Sequence, residues 1–375
     1  MDIKGYNRII LHGYYAIRAL PDIKRIIILY GLPLLIAATG HGQLNRLLQK
    51  DVVDTSYIEV FDSMLNARAF VSQKLTNPTL IGADRNNPVR YLSNGPTNIG
   101  LGTTVGWLTL NIGVNFGFIN HDNVEKGRTR FLDLHTQAMA RPYCVDVYGQ
   151  IYKGVYLLPQ TGPLPRGDIY IQRPDIYTQL IGSSAYFFPN WRKFSYPAAV
   201  FQRDRQKRSA GSLIFGGEIF TAMIRGDSNL IPPDRASQFL QGPVTKATFF
   251  ELGIGGGYAY SLILKKYFFI HASLIGSLSA GMLREHHGNM VQNTPYIKPN
   301  FLIRPSIGYN SKRWNASVML FGSQVNSGKP AASYRITTTN LRYTLAYRIH
   351  PSEKFRKRYE KILRLNPFWL GEPAH

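Results

Sequence analysis

The sequence predicts an all-β protein: a closed antiparallel transmembrane β-barrel of about twelve strands, with an N-terminal signal peptide and a basic C-terminal extension. Three observations predict it. Apolar residues alternate with small or polar ones through most of the chain. The connections between these segments are short and long by turns. An apolar stretch of export-signal length lies near the N-terminus.

The N-terminal stretch comes first. Lys24 and Arg25 precede the apolar run from Ile26 to Ala38, and small residues follow through Gly40 and Gly42. An apolar core of about 13 residues suits a secretory signal and is short for a membrane-spanning helix. The reading is therefore a cleaved signal within 1–42 and a periplasmic lead-in over 43–63. The leading segment Met1 to Asp22 is long for such a signal.

The clearest alternation runs from Thr97 to Phe118. Ile99, Leu101, Val105 and Trp107 hold one phase, with Gly100, Gly102 and Thr104 between them. After Trp107 the phase flips to Leu108, Leu110, Ile112, Val114, Phe116 and Phe118. Period two means a strand with two unlike faces, and the flip means a tight reversal at Gly106-Trp107. Further strands are expected over 64–75, 130–140, 143–157, 175–188, 209–224, 245–263, 267–283, 298–309, 314–324 and 334–349. In 245–263, Phe250, Leu252, Ile254, Tyr258, Tyr260 and Leu262 share a face opposite Glu251 and a run of glycines. In 267–283, Phe268, Ile270, Leu274, Leu278 and Met282 oppose His271, Ser273, Ser277 and Ser279.

Short turns are expected at 106–108, 141–142, 264–266 and 310–313. Long loops are expected at 76–96, 119–129, 158–174, 225–244, 284–297 and 325–333. Short turns on one side and long loops on the other are the outer-membrane pattern. The parity requires Pro189 to Arg208 to lie on the short-turn side, as a periplasmic cap or inside the lumen, which makes 64–350 the barrel. The tail 351–375 carries Lys354, Arg356, Lys357, Arg358, Lys361 and Arg364, and reads as an amphipathic helix or a disordered basic extension.

Composition is compatible with this architecture. There are 23 Tyr and 20 Phe, enough for aromatic girdles at two interfaces. The net charge of +22 is spread over loops and strand ends without a nucleic-acid-binding motif, so the partners expected are outer-membrane lipid and lipopolysaccharide, with room for an envelope protein, and no nucleic acid. The one cysteine, Cys144, admits no internal disulfide and reads as a packed thiol.

Several local patterns resemble a known family. They are Gln172-Arg173-Pro174-Asp175, Asn190, Lys193-Phe194-Ser195-Tyr196 and Gln206 through Ser212, flanked by Lys126-Gly127, Lys153 to Tyr156, Gly257 to Tyr260 and Gly308-Tyr309-Asn310. Together, over roughly 55–350, they resemble domain of unknown function 4421 of the Bacteroidetes. The resemblance implies an exported outer-membrane-type barrel and carries no activity or catalytic residue.

The residues themselves offer limited chemistry. His286-His287 lacks a second ligand pair, so no metal and no cofactor are expected. His271 and Ser273 share a strand face, similar to the His-x-Ser pair of outer-membrane lipid A deacylases, and Glu251 stands on the preceding strand as a third member. Arg173, Asp175, Lys193, Arg205, Lys207, Arg208 and Glu218 are candidates for an anion site or for charge crosslinks in the lumen. Three roles stay open at this point: a structural or envelope-binding barrel, a narrow channel for a small solute, and a barrel-wall lipid hydrolase.

Overall fold

Among the described residues, fourteen strands hydrogen-bond into one sheet that closes on itself. The computed structural model describes residues 53–61, 64–105, 108–115, 122–140 and 142–353, all within one compact unit. The signal segment 1–42, most of the lead-in and the tail beyond 353 lie outside the described residues.

In chain order the strands are β1 (Ile58–Glu59), β2 (Leu65–Ile81), β3 (Val89–Leu92), β4 (Thr97–Val105), β5 (Leu108–Asn115), β6 (Arg130–Ala140), β7 (Tyr143–Leu158), β8 (Gln172–Phe187), β9 (Arg205–Gln206) and β10 (Ala210–Arg225). They continue as β11 (Val244–Leu264), β12 (Phe268–His287), β13 (Met290–Ile303), β14 (Ser306–Asn310), β15 (Trp314–Lys329) and β16 (Ala332–Ile349). Two short helices, α1 (Asn123–Lys126) and α2 (Tyr196–Val200), and a 3-10 turn at Pro233–Gln238 complete the described elements.

The ring has two circuits. Around the end that carries the short turns it runs β2-β4-β5-β6-β7-β8-β10-β11-β12-β14-β15-β16 and back to β2, twelve places in all. At the opposite end β3 pairs with both β2 and β7, bypassing β4 to β6, and β13 takes the place of β14. That upper circuit has ten strands. The wall therefore bulges where β4, β5 and β6 are inserted, and β5 meets β6 at Leu108↔Ala138 among the described residues. One descending strand is split into β13 and β14 at Arg304-Pro305. Proline has no N–H to give a ladder, so a break there is expected.

Through the middle of the wall the strands turn apolar residues outward and polar ones inward. Leu101 is 71% exposed, Ile112 76% and Ile254 78%, while Glu251, Ser279 and Asp146 are fully buried. A water-soluble barrel would reverse this, because exposed apolar area is costly in water. A wall bathed in lipid requires it. Strand length agrees, since β11 has 21 residues and β12 has 20, against about 9–11 needed to cross a bilayer. At the short-turn end the outward face becomes aromatic, with Tyr309 packed against Tyr267 and Phe268, and Trp314 against Tyr347.

Two expected long loops are corrected. Residues 284–297 and 325–333 are strand: β12 and β13 join at Gly288-Asn289, and β15 and β16 at Pro330-Ala331. Polar residues there resemble loop composition, but they lie on strands that overhang the apolar band. For the same reason β2 runs to Ile81 rather than stopping near Leu75, and β3 forms inside a stretch read as loop.

Candidate functional site

The lumen is where the polar chemistry collects. Pro189 to Arg208 turns into the ring at the short-turn end and fills it. Phe194, Ser195, Tyr196 and Val200 are buried, as are Phe201, Gln202 and Asp204. The segment is knit locally. Ser195 caps α2 by accepting from the Ala198 N–H at 3.2 Å and donates to Asp204 Oδ2 at 2.8 Å. Gln202, at φ +51, ends the helix in the left-handed region, and its side chain donates to Ala199 O. Gln206 accepts from Ser195 N and donates to the carbonyls of Lys193 and Arg208.

The wall holds this plug from many directions. Asn66 on β2 donates to the Phe201 and Gln202 carbonyls, and Arg348 on β16 to Gln202 O. Ser306 and Asn310 on β14 donate to the Ala199 and Asp204 carbonyls at 3.1 and 3.0 Å. Arg203 in turn reaches Met139 O on β6 at 3.0 Å. The lead-in adds a strap, β1 pairing with β9 through Ile58↔Gln206 and Glu59↔Arg205.

Deeper in, Arg304 crosses the lumen. Its Nη2 lies 2.5 Å from Asp146 on β7, and its Nη1 donates to Tyr196 OH of the plug at 3.1 Å. The guanidinium also faces the Phe321 ring at 5.1 Å. Cys144 is a buried free thiol, its Sγ 3.9 Å from both Asp146 and Arg304. A second knot joins β2, β6, β7 and β16: Lys74 pairs with Asp133 at 2.8 Å, Tyr152 and Gln150 donate to Asp133, and Thr338 donates to Gln150. Between these knots a cavity of about 40 Å³ remains, lined by Thr109, Gln137, Phe201, Arg304 and Asn340. It has room for about one water molecule.

A third knot gathers two carboxylates with no cation paired to either among the described residues. Glu218 accepts from Ser277, Ser279 and Asn300, and Glu251 accepts from Tyr296 at 2.8 Å and Asn300 at 2.5 Å. The glycines of β11 make space for it. A Cβ on Gly253 would collide with Ser279 Oγ and stand 3.0 Å from Glu218 Cγ.

The other sequence candidates fall as follows. His271 is 1% exposed and bonds Ser261 at 3.0 Å through Nδ1, under the Phe194 and Tyr196 rings. Ser273 meets Tyr196 OH at 3.4 Å, and Glu251 is engaged elsewhere, so His271, Ser273 and Glu251 are not brought into one hydrogen-bonded set. Arg173 and Asp175 form a bidentate pair at 2.8 and 2.7 Å at the long-loop end, where Arg173 also ties Ser228 and Asn229. Lys193 and Arg208 flank the Tyr57 ring, Lys207 donates to Thr55 O, and Arg205 pairs with Glu59. These four tie the lead-in to the plug, and only Glu218 of the seven faces the lumen knots. Among the described residues no cluster of His, Cys, Asp and Glu has the makings of a metal site.

Arg304, Asp146, Lys74, Asp133 and Arg348 were not singled out from the sequence. A signal existed for Asp146: it shares the phase of Cys144 and Tyr148, which places it on a buried face. For Arg304 the signal was an arginine between two apolar strand segments, followed by a ladder-breaking proline.

The family model described as a domain of unknown function, DUF4421, matches residues 52–349. No curated protein matches the sequence. Among solved structures, the outer membrane protease OmpT of Escherichia coli aligns over 76% of this chain and 97% of its own at 9% identity, with a TM-score of 0.34. The toluene transporter TodX of Pseudomonas putida aligns over 77% and 91% at 8% identity, with a TM-score of 0.24.

Proposed function

The chain thus belongs to the DUF4421 family, and from that premise we propose that it is an outer-membrane barrel with a sealed lumen, serving a structural and envelope-binding role at its rims. One observation carries the reading: the plug is buried inside the ring and bonded to β2, β6, β14 and β16, with Arg304 locked between Asp146 and Tyr196. A solute would have to break buried charge-assisted bonds to pass, and such bonds are expensive to leave unmade. Export through a cleaved signal within 1–42 and contact with lipid and lipopolysaccharide belong to the same proposal, supported by the Lys24-Arg25 and Ile26–Ala38 pattern and by the apolar wall.

Fractionation with heat-modifiable gel migration tests the barrel and its membrane. Planar-bilayer conductance tests the seal. A silent, folded wild type is expected, and stable open steps would overturn the sealed reading.

A second reading, a gated channel for a small solute, has one observation in its favour. Side-chain hydrogen bonds, most of them to main-chain carbonyls, hold the plug to the wall, and among the described residues its one strand, β9, pairs with β1 and with no strand of the ring. Voltage-dependent openings of the wild type would select it.

A further inference from the structure

On the outer wall at the long-loop end lies a groove of about 550 Å³ whose basic residues none of the lumen knots engages. We propose that it binds the phosphate of a membrane lipid whose acyl chains run down the adjacent wall. The inference rests on the outer-membrane reading above, and not on whether the lumen is sealed.

Its floor is set by register. One row of outward residues crosses four strands as Phe301, Gln324, Thr337 and Asn77. The next row is Asn326, Arg335, Thr79 and Arg90, the last supplied by β3. Along β16 the outward face is apolar from Ile349 through Tyr347, Leu345, Tyr343 and Leu341, then turns polar at Thr339, Thr337 and Arg335. The groove thus opens where the wall stops being apolar, which is the level of lipid headgroups. Phe301 and Ile303, 47% and 38% exposed, continue the apolar wall on its near side.

The lining is cationic. Arg85, Arg90, Lys298 and Arg335 contribute to it, and no carboxylate does. Lys298 lies within electrostatic reach of Arg85 and Arg335. Among the described residues none of the four pairs with an acid. Arg335 spends only its Nε, on Asn326 Oδ1 at 2.9 Å, which aims the guanidinium and leaves both terminal nitrogens to donate. The nearest acid in sequence, Asp84, is turned into its own loop by the Asn86 N–H. Like charges gathered in a half-buried groove repel each other, and an anion that bridges them relieves the cost. Arginine forks with a neighbouring ammonium match the oxygens of a phosphate. An apolar wall directly below selects a phosphate that carries chains.

The test uses the full-length protein folded in detergent and transferred to nanodiscs. Binding is measured against nanodiscs of neutral lipid doped with an anionic glycerophospholipid, or with purified lipopolysaccharide before and after removal of its phosphates. Wild type is expected to bind phosphate-bearing lipid, and Lys298→Gln/Arg335→Gln to bind it about tenfold more weakly or worse. Arg128→Gln/Arg166→Gln, two exposed loop arginines outside the groove, is expected to bind as wild type does. Heat-modifiable migration confirms that each variant is folded, and Arg85→Gln/Arg90→Gln provides a second pair should the first fail to fold. Preference between the two lipid classes identifies the source of the phosphate. Equal binding by wild type and both groove variants, undiminished binding of dephosphorylated lipid, or full displacement by inorganic phosphate would each overturn the proposal.

Discussion

Arg304 lies 2.5 Å from Asp146 across the lumen, and both side chains are at most 1% exposed. The pair joins the split strand β13/β14 to β7, and through Tyr196 it also fixes the plug. Removing Arg304 strips the buried Asp146 carboxylate of that cation and leaves it to neutral partners such as Gln137 and Cys144. Arg304→Met alone is therefore expected to cost about 3–5 kcal/mol. Arg304→Met with Asp146→Asn removes both charges and is expected to recover most of that loss. Denaturant unfolding in detergent measures both. A single variant as stable as the double would show that the pair does not hold the fold.

Cys144 offers a reporter for the same region. Its Sγ is sealed between Asp146 and Arg304, so the thiol of the folded protein is expected to resist maleimide and to react fully after denaturation. In Arg304→Ala the guanidinium that covers it is gone, and labelling of the folded barrel is expected to accelerate. Rapid labelling of the wild type would mean that the lumen opens from the short-turn end on the timescale of the experiment.

The limits of the sequence reading have physical causes. Wall phase was legible because period two is a local property: Phe250 to Leu262 and Phe268 to Met282 face outward as their alternation required. The ten-strand upper circuit was not legible, because β3 is four residues long and is held by long-range pairing to β2 and β7. Overhanging strands such as Arg284 to His287 read as loop because above the lipid band neither face needs to be apolar. Of the lumen residues, Glu218 was singled out by its type, while Arg304 and Asp146 were missed because their partnership spans 158 residues of sequence. The basic block at Lys193 to Arg208 was conspicuous. Its role in binding the lead-in through Tyr57, Thr55 and Glu59 depends on a segment that carries no pattern of its own.

The β11–β12 turn carries strain with a measurable consequence. Lys265 and Lys266 sit at φ +45 and +71, a conformation that suits Asn and Gly better than lysine. Lys265→Asn/Lys266→Gly is expected to stabilise the barrel by about 1 kcal/mol or more in detergent. Both lysines are exposed beside the aromatic belt at Tyr267, where cations meet anionic headgroups. The same variant is therefore expected to associate more weakly with nanodiscs rich in anionic phospholipid on that face. A gain in stability with unchanged lipid association would leave the strain without a compensating contact.

The plug's aromatic face bears most directly on the sealed lumen. Phe194 and Tyr196 pack with Phe188 and cover His271, the Phe188 and Tyr196 rings stacking at 4.5 Å. Phe194→Ala/Tyr196→Ala removes two buried rings at a cost of roughly 3–5 kcal/mol each, which a barrel held by closed strand pairing can survive. It also deletes the hydroxyl that receives Arg304 Nη1. If the plug is the seal, the double variant is expected to conduct in planar bilayers where wild type is silent. Substituting Ile254→Ala on the lipid-facing side of β11 serves as the control and is expected to stay silent, since that side chain is 78% exposed to the bilayer side and touches no part of the plug. Conductance in the control would trace the leak to a loosened wall, whereas silence in the double variant would place the barrier deeper, at Arg304-Asp146 and the Lys74-Asp133 knot behind it.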